Sequence, residues 1–339
     1  MMAIDQLTPD QFFAQLYAHT DISKDPHSGG RQMNCHFSTR MLNNDGNWKT
    51  LTDMKNSSSD VSCVSGQMPR IVGLAYASKL YRKNKNLSDM QNFSINGNEV
   101  IFGTIGDAST SEGHFWEAIN ACGVLQVPVV MSIWDDGYGI SVPSEYHTTR
   151  NDLSKVLSGF QRVSTKEKGF EIFTVNAWDY IGLLKAYLKA VEFARKDHVP
   201  CIIHVKDVTQ PQGHTTSGSH ERYKPKERLK WEKDFCCIKK MREWILKNNI
   251  SSSDELERIE NKAEKSAIKS RDKSWKSYRN SIDEDLQDAL TIITRVAQNS
   301  PKIVQNCKSA NKTCTFVQEL RFRLIWQTIH FRPLTVSMV

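Results

Sequence analysis

The chain has 339 residues, a formal net charge of +7, and 39% hydrophobic and 24% charged residues. That balance fits a folded globular protein and excludes a disordered or low-complexity one. No apolar run approaches the roughly 18 residues of a membrane span, and the opening Met-Met-Ala-Ile-Asp-Gln has no signal-peptide core. No membrane segment is therefore expected, and the cytoplasm is the default location.

Residues 1–60 are polar and rich in turn formers, apart from an early helix signal. Thr8 is placed to cap, Pro9 fits the first helical position, and Phe12, Phe13, Leu16 and Tyr17 follow. From Gln67 to Leu80, Ile71, Leu74, Ala75 and Ser78 recur at helical spacing. Strands are then expected at 100–105, 127–133, 170–175 and 201–205, with helices at about 112–125 and 180–195 between them. Near-continuous apolar strands alternating with helices predict an α/β fold with a parallel sheet covered by helices on both faces.

Residues 226–300 read as a charged helical extension with a modest apolar stripe (Trp231, Phe235, Met241, Trp244, Ile245), and 301–339 as a tail without assigned structure. The mixed signs of 224–282 suggest a solvated cover or a dimer face rather than a phosphate-tracking stripe, so no nucleic-acid partner is expected. The eight cysteines show no CxxC pair or metal-finger spacing and read as reduced thiols.

In parallel sheets ligands bind at the carboxyl ends of the strands. Gly106-Asp107 and Asp135-Asp136-Gly137 both fall there, with Asp107 and Asp136 29 positions apart across one helix and one strand. That connection predicts neighbouring strand ends. Two carboxylates, a backbone carbonyl near Tyr138 and phosphate oxygens would suit Mg²⁺, and a helix starting near Ser111 would aim its dipole at the phosphate. Asp135 is read as capping a turn, and His36, His147 and His220 as ordinary surface or loop residues.

The pair resembles the thiamine-diphosphate fingerprint, Gly-Asp-Gly followed at a fixed gap by Asn-Asn. Four further blocks are similar to the alpha subunit, or alpha half of a fused chain, of the first component of branched-chain 2-oxo acid dehydrogenases. They are Gly30-Arg31-Gln32-Met33 with His36-Phe37, Ser62-Cys63-Val64-Ser65-Gly66-Gln67-Met68-Pro69, Ser111-Glu112-Gly113, and Gly213-His214-Thr215-Thr216-Ser217. The resemblance covers about residues 29–223. It implies the thiamine diphosphate-binding fold over 1–225, with its first segment, including an upstream Tyr-Arg pair, missing. Asp107, Asp136 and the Tyr138 carbonyl would bind Mg²⁺. Ala108 and Ser109 would approach the diphosphate, and Ser62 and Val64 the aminopyrimidine. His214 would act catalytically.

By the same resemblance the activity is oxidative decarboxylation of a branched-chain 2-oxo acid, or pyruvate, with acyl transfer to lipoamide. The partners would be a beta subunit that completes the site and a lipoyl-bearing acyltransferase. The pattern is departed from at three places: Ala108 replaces the second glycine, Asp135-Asp136 replaces Asn-Asn, and Gln210 stands where arginine is usual. A carboxylate for an amide strengthens attraction to Mg²⁺ and adds repulsion toward the diphosphate. The competing expectations are a non-catalytic fragment or assembly subunit that keeps the fold, and a transketolase-like synthase. Thr215 stands where relatives carry a regulatory phosphoserine.

Overall fold

The computed structural model describes residues 1–214 and 220–298. The chain divides into two compact units, with the boundary between Arg271 and Asp272. The sheet, its covering helices and the candidate site belong to the first.

Helix α1 (Pro9–Leu16) starts as its sequence dictates. The Gln11 N–H donates to Thr8 Oγ1 at 3.2 Å, and the Thr8 N–H donates back to Gln11 Oε1 at 2.9 Å, which closes a capping box. Helix α2 (Gln67–Lys83) buries Met68, Ile71, Ala75 and Ser78 along one stripe. Leu74, expected on that stripe, is instead 42% exposed. Its place one turn-step round from Ile71 and Ala75 turns it away from the sheet.

Strands β1 (Ile101–Gly106) and β2 (Val129–Trp134) flank helix α3 (Gly113–Leu125). A short antiparallel pair, β3 (Tyr138–Gly139) and β4 (Val142–Pro143), follows, then helix α4 (Leu153–Leu157). Strand β5 (Glu171–Asn176), helix α5 (Tyr180–Asp197) and strand β6 (Cys201–Lys206) complete the sheet. Its order is β1-β2-β6-β5, and each pairing is parallel. The α/β architecture read from the sequence is the one observed, with each strand displaced by one or two residues at most.

The two central strands, β2 and β6, are buried on both faces, which is why their sequences run apolar without alternation. On one face α2 and α3 bring Met68, Ile71, Phe115 and Ile119 against Ile105, Met131, Ile133 and Ile202. On the other, Ala186, Ala190 and Ala194 of α5 lie on Val130, Ile203 and Val205. The alanines recur every fourth residue and let the helix approach the sheet closely.

Helices α6 (Lys226–Asp234), α7 (Cys237–Lys247) and α8 (Ser253–Gln298) follow. Aromatic contacts tie the first two to the start of α5: Trp178 meets Phe235 at 5.5 Å and Tyr180 meets Trp244 at 5.1 Å between centroids. Cys35, Cys63, Cys122, Cys201, Cys236 and Cys237 are free thiols. No helix among the described residues is long and apolar enough to cross a membrane. The tail expected at 301–339 lies outside the described residues.

Candidate functional site

Because β1 pairs β2 in parallel register, with Gly106 opposite Trp134, the two acid-bearing turns emerge side by side. The Asp107 N–H donates to the Trp134 carbonyl at 3.2 Å, so the ladder runs into the site itself. A 3-10 turn, Ala108–Ser111, then separates Asp107 from α3, which begins at Gly113 rather than near Ser111. Thr110 fastens that turn by donating its hydroxyl to the Asp107 carbonyl at 2.6 Å. Ser65 donates to the Ser109 carbonyl at 2.7 Å, joining the 62–65 loop to it.

A cavity of ≈ 370 Å³ opens at these strand ends. Ser62, Val64, Asp107, Ser109, Asp136 and His214 all line it, together with Cys63, Gln67, Trp134 and Gln210. Six of the eight residues singled out in the sequence thus face one space. Ala108 and Tyr138 are not among the lining residues. The Ala108 methyl points at Gly139, where an added Cβ would sit 2.8 Å from it. The Tyr138 N–H donates to Asp136 Oδ1 at 3.2 Å, and its ring lies beneath the Lys224 ammonium, 4.9 Å from the centroid. Thr215, Thr216 and Ser217 lie outside the described residues.

The electrostatics are unusual for three clustered acids. Asp107 is 3% exposed and Asp136 4% exposed, and the Oδ2 of each is buried without a hydrogen-bond partner among the described residues. Burial, then the charges of Asp135 and Asp136, push the Asp107 carboxyl up to about 7, against the backbone N–H groups of Ala108 and Asp107. Burial also raises Asp136, opposed by His214, the Tyr138 N–H, Lys224 and Arg228. Asp135 goes the other way. Burial would raise it, but the His204 hydrogen bond and charge, the Gly137 N–H and Lys206 outweigh that and hold it below the usual carboxylate range.

Asp135 therefore does more than cap a turn. Its Oδ1 accepts the Gly137 N–H at 3.0 Å, while Oδ2 meets His204 Nε2 at 2.8 Å. His204 is fully buried in β6, and its Nδ1 lies 2.6 Å from the Ser154 hydroxyl. With Nε2 donating to Asp135 and Nδ1 facing the Ser154 hydroxyl, both ring nitrogens are satisfied. Asp135 is thereby occupied, which leaves Asp107 and Asp136 as the open carboxylates.

Two groups of residues were misread from sequence. His147, taken for an ordinary loop histidine, is half-buried, and its Nε2 stands 3.9 Å from Asp107 Oδ2. That is too long for a hydrogen bond, and both atoms are without a partner among the described residues. The mixed-sign run after 224 is not wholly a solvated face. Lys224 Nζ lies 2.7 Å from Glu232 Oε1, with side chains 0% and 1% exposed. Arg228 bridges Glu232 and the Asp136 carbonyl. The i, i+4 spacing of Arg228 and Glu232 was the available signal for that pair, whereas Lys224 precedes α6 and no helical spacing places it.

Acid-bearing turns at the carboxyl ends of adjacent parallel strands, with a cavity at those ends, are the arrangement in which α/β proteins commonly receive ligands. Residues 2–280 match the family Dehydrogenase E1 component, and the chain belongs to that family. It is 28% identical over 198 residues to the pyruvate dehydrogenase E1 component subunit alpha of Rickettsia bellii (strain RML369-C), covering 58% of this chain and 53% of that protein. Against the 2-oxoisovalerate dehydrogenase subunit alpha of Bacillus subtilis (strain 168), identity is 28% over 179 residues, 53% of this chain and 44% of that protein. The mitochondrial 2-oxoisovalerate dehydrogenase subunit alpha of Homo sapiens is 24% identical over 238 residues, 69% of this chain and 44% of that protein. The chain spans about half the length of the curated relatives it matches.

Proposed function

We propose that the chain is the alpha-type subunit of a thiamine diphosphate-dependent 2-oxo acid dehydrogenase, acting on a branched-chain 2-oxo acid or pyruvate. Acyl transfer to lipoamide, a beta subunit that completes the site, a lipoyl-bearing acyltransferase partner and a cytoplasmic location belong to the same reading. The observation that carries it is the pair of buried, partnerless oxygens, Asp107 Oδ2 and Asp136 Oδ2, on one cavity wall. Leaving a carboxylate oxygen buried and unsatisfied costs several kcal/mol in general, and a hard cation relieves that cost.

The residues fit Mg²⁺ held jointly with a diphosphate. Among the described residues no cluster of three or more His, Cys, Asp or Glu side chains would hold a metal by itself. Two carboxylates supplemented by backbone and phosphate oxygens match the way Mg²⁺ is commonly bound. Asp107, Asp136 and the Tyr138 carbonyl would hold the cation, Ala108 and Ser109 would border the diphosphate, and Ser62 and Val64 the aminopyrimidine. The chemistry contributed by bound thiamine diphosphate is nucleophilic attack on the 2-oxo carbon and an electron sink for loss of carbon dioxide.

The protein's own tasks are narrower. The 62–65 loop, tied to Ser109 through the Ser65 hydroxyl, forms part of the cavity lining. His214, at the rim, would donate a hydrogen bond to the reacting oxygen, and His204 keeps Asp135 from adding a further open charge. Calorimetric titration of thiamine diphosphate with Mg²⁺ into the chain, alone and mixed with a beta chain, tests the reading. Binding in the mixture, lost in Asp107→Asn, is expected. Unchanged affinity in Asp107→Asn, or no binding in either preparation, would overturn it and favour the non-catalytic assembly role.

A further inference from the structure

The Asp136–Tyr138 turn is gripped from outside the strand that delivers it. Arg228 on α6 donates from Nη2 to the Asp136 carbonyl at 2.7 Å, across 92 positions of sequence. Its Nε donates to Glu232 Oε1 at 3.0 Å, and the same oxygen accepts from Lys224 Nζ at 2.7 Å. The guanidinium carbon lies 5.8 Å from the Tyr138 ring centroid and 4.6 Å from that of Trp231. Lys224 sits over the other side chain in question, the Tyr138 ring. A planar guanidinium presents donors in fixed directions, so one Arg bridges a carboxylate and a carbonyl where a lysine ammonium, a single point, cannot hold both in the same way.

We propose that Arg228, locked by the buried Lys224–Glu232 pair, is a positioning residue that holds the Asp136–Gly137–Tyr138 turn in its cation-binding shape. This rests on the proposed function for its purpose but not for its geometry. Asp136 and the Tyr138 carbonyl are the two proposed cation-facing groups of that turn; within it the Gly137 and Tyr138 N–H groups donate to the Asp135 and Asp136 carboxylates, and the Ser144 N–H donates to the Gly137 carbonyl at 2.9 Å. Arg228 is the side chain that ties the Asp136 carbonyl of this turn to α6 by a hydrogen bond. Removing it leaves Glu232 still paired with Lys224, so the fold is expected to survive.

Two readouts separate the geometry from the purpose. In the full chain, hydrogen exchange of the 135–143 peptide should quicken severalfold in Arg228→Met and Arg228→Lys, with melting close to the parent. Mn²⁺ binding, followed by its paramagnetic resonance signal with thiamine diphosphate and a beta chain present, should weaken about 10–100-fold, the range typical of residues that orient metal ligands. Unaltered exchange and unaltered Mn²⁺ affinity in both variants would overturn the positioning role. Full restoration of both by Arg228→Lys would also overturn it, since charge alone would then suffice. If Arg228→Met fails to fold, Arg228→Lys carries the test. If the parent itself binds no Mn²⁺ but exchange quickens in the variants, the proposed function falls while the positioning of the turn stands.

Discussion

Ala108 and Gly139 share one small volume between the two turns of the site. A methyl on both would bring the carbon atoms to 2.8 Å, closer than side chains tolerate. The alanine at the fingerprint's second glycine is therefore accommodated by the missing side chain at Gly139. Gly139→Ala should cost about 1–3 kcal/mol as overpacking. Denaturant unfolding of the single variants and of Ala108→Gly/Gly139→Ala checks this: the double variant should recover most of the loss, and simple additivity would refute the pairing.

A second residue-scale prediction concerns His198, which ends α5 in the left-handed conformation and is buried, with Nε2 3.1 Å from the Gly97 carbonyl. Burial lowers its pKa below the ordinary 6.5; the Gly97 hydrogen bond opposes this, and the cations of Arg82, Lys79 and Lys83 reinforce it. Below 6.5 the unfolded chain takes up a proton that the folded chain resists. The stability tied to the neutral ring is thus fully present above 6.5 and lost as pH falls through the lower folded value. Unfolding free energy measured against pH should flatten in that window in His198→Asn, which tolerates the same backbone conformation.

Among the elements, α1 and β6 draw stability from different sources. The capping box of α1 is local, and Thr8→Ala should cost about 1 kcal/mol in chemical denaturation. Strand β6 lies between two neighbours and under helices on both faces, so Ile203→Ala should cost about 2–5 kcal/mol. A reversal of that order would mean that the sheet centre tolerates a cavity better than its burial implies. The cap was legible in Thr8-Pro9-Asp10-Gln11 because capping depends on residues three apart. The exposure of Leu74 was not, since which side of α2 meets the sheet depends on where α3 already lies.

For the whole molecule, the proposed ligand should act as a stabiliser. At about a hundredfold excess over its dissociation constant, a ligand that binds only the folded chain adds about 2.7 kcal/mol. Thermal unfolding of the chain with a beta chain, thiamine diphosphate and Mg²⁺ should show that gain, and Asp107→Asn should not. A gain of equal size in Asp107→Asn would place the ligand away from the strand-end carboxylates.

The sequence by itself determined the four strands, their helices and the two acidic strand ends, because apolar runs, turn residues and caps are properties of neighbouring positions. It also supplied six of the residues that line the cavity, through blocks read as a family pattern. Tertiary structure alone decided that β6 lies between β2 and β5, that His204 occupies Asp135, and that Arg228 and the buried Lys224–Glu232 pair reach the Asp136 turn. Those pairings join residues 69 and 92 positions apart, and a charge pattern gives no sign of which charges the packed chain will draw out of water.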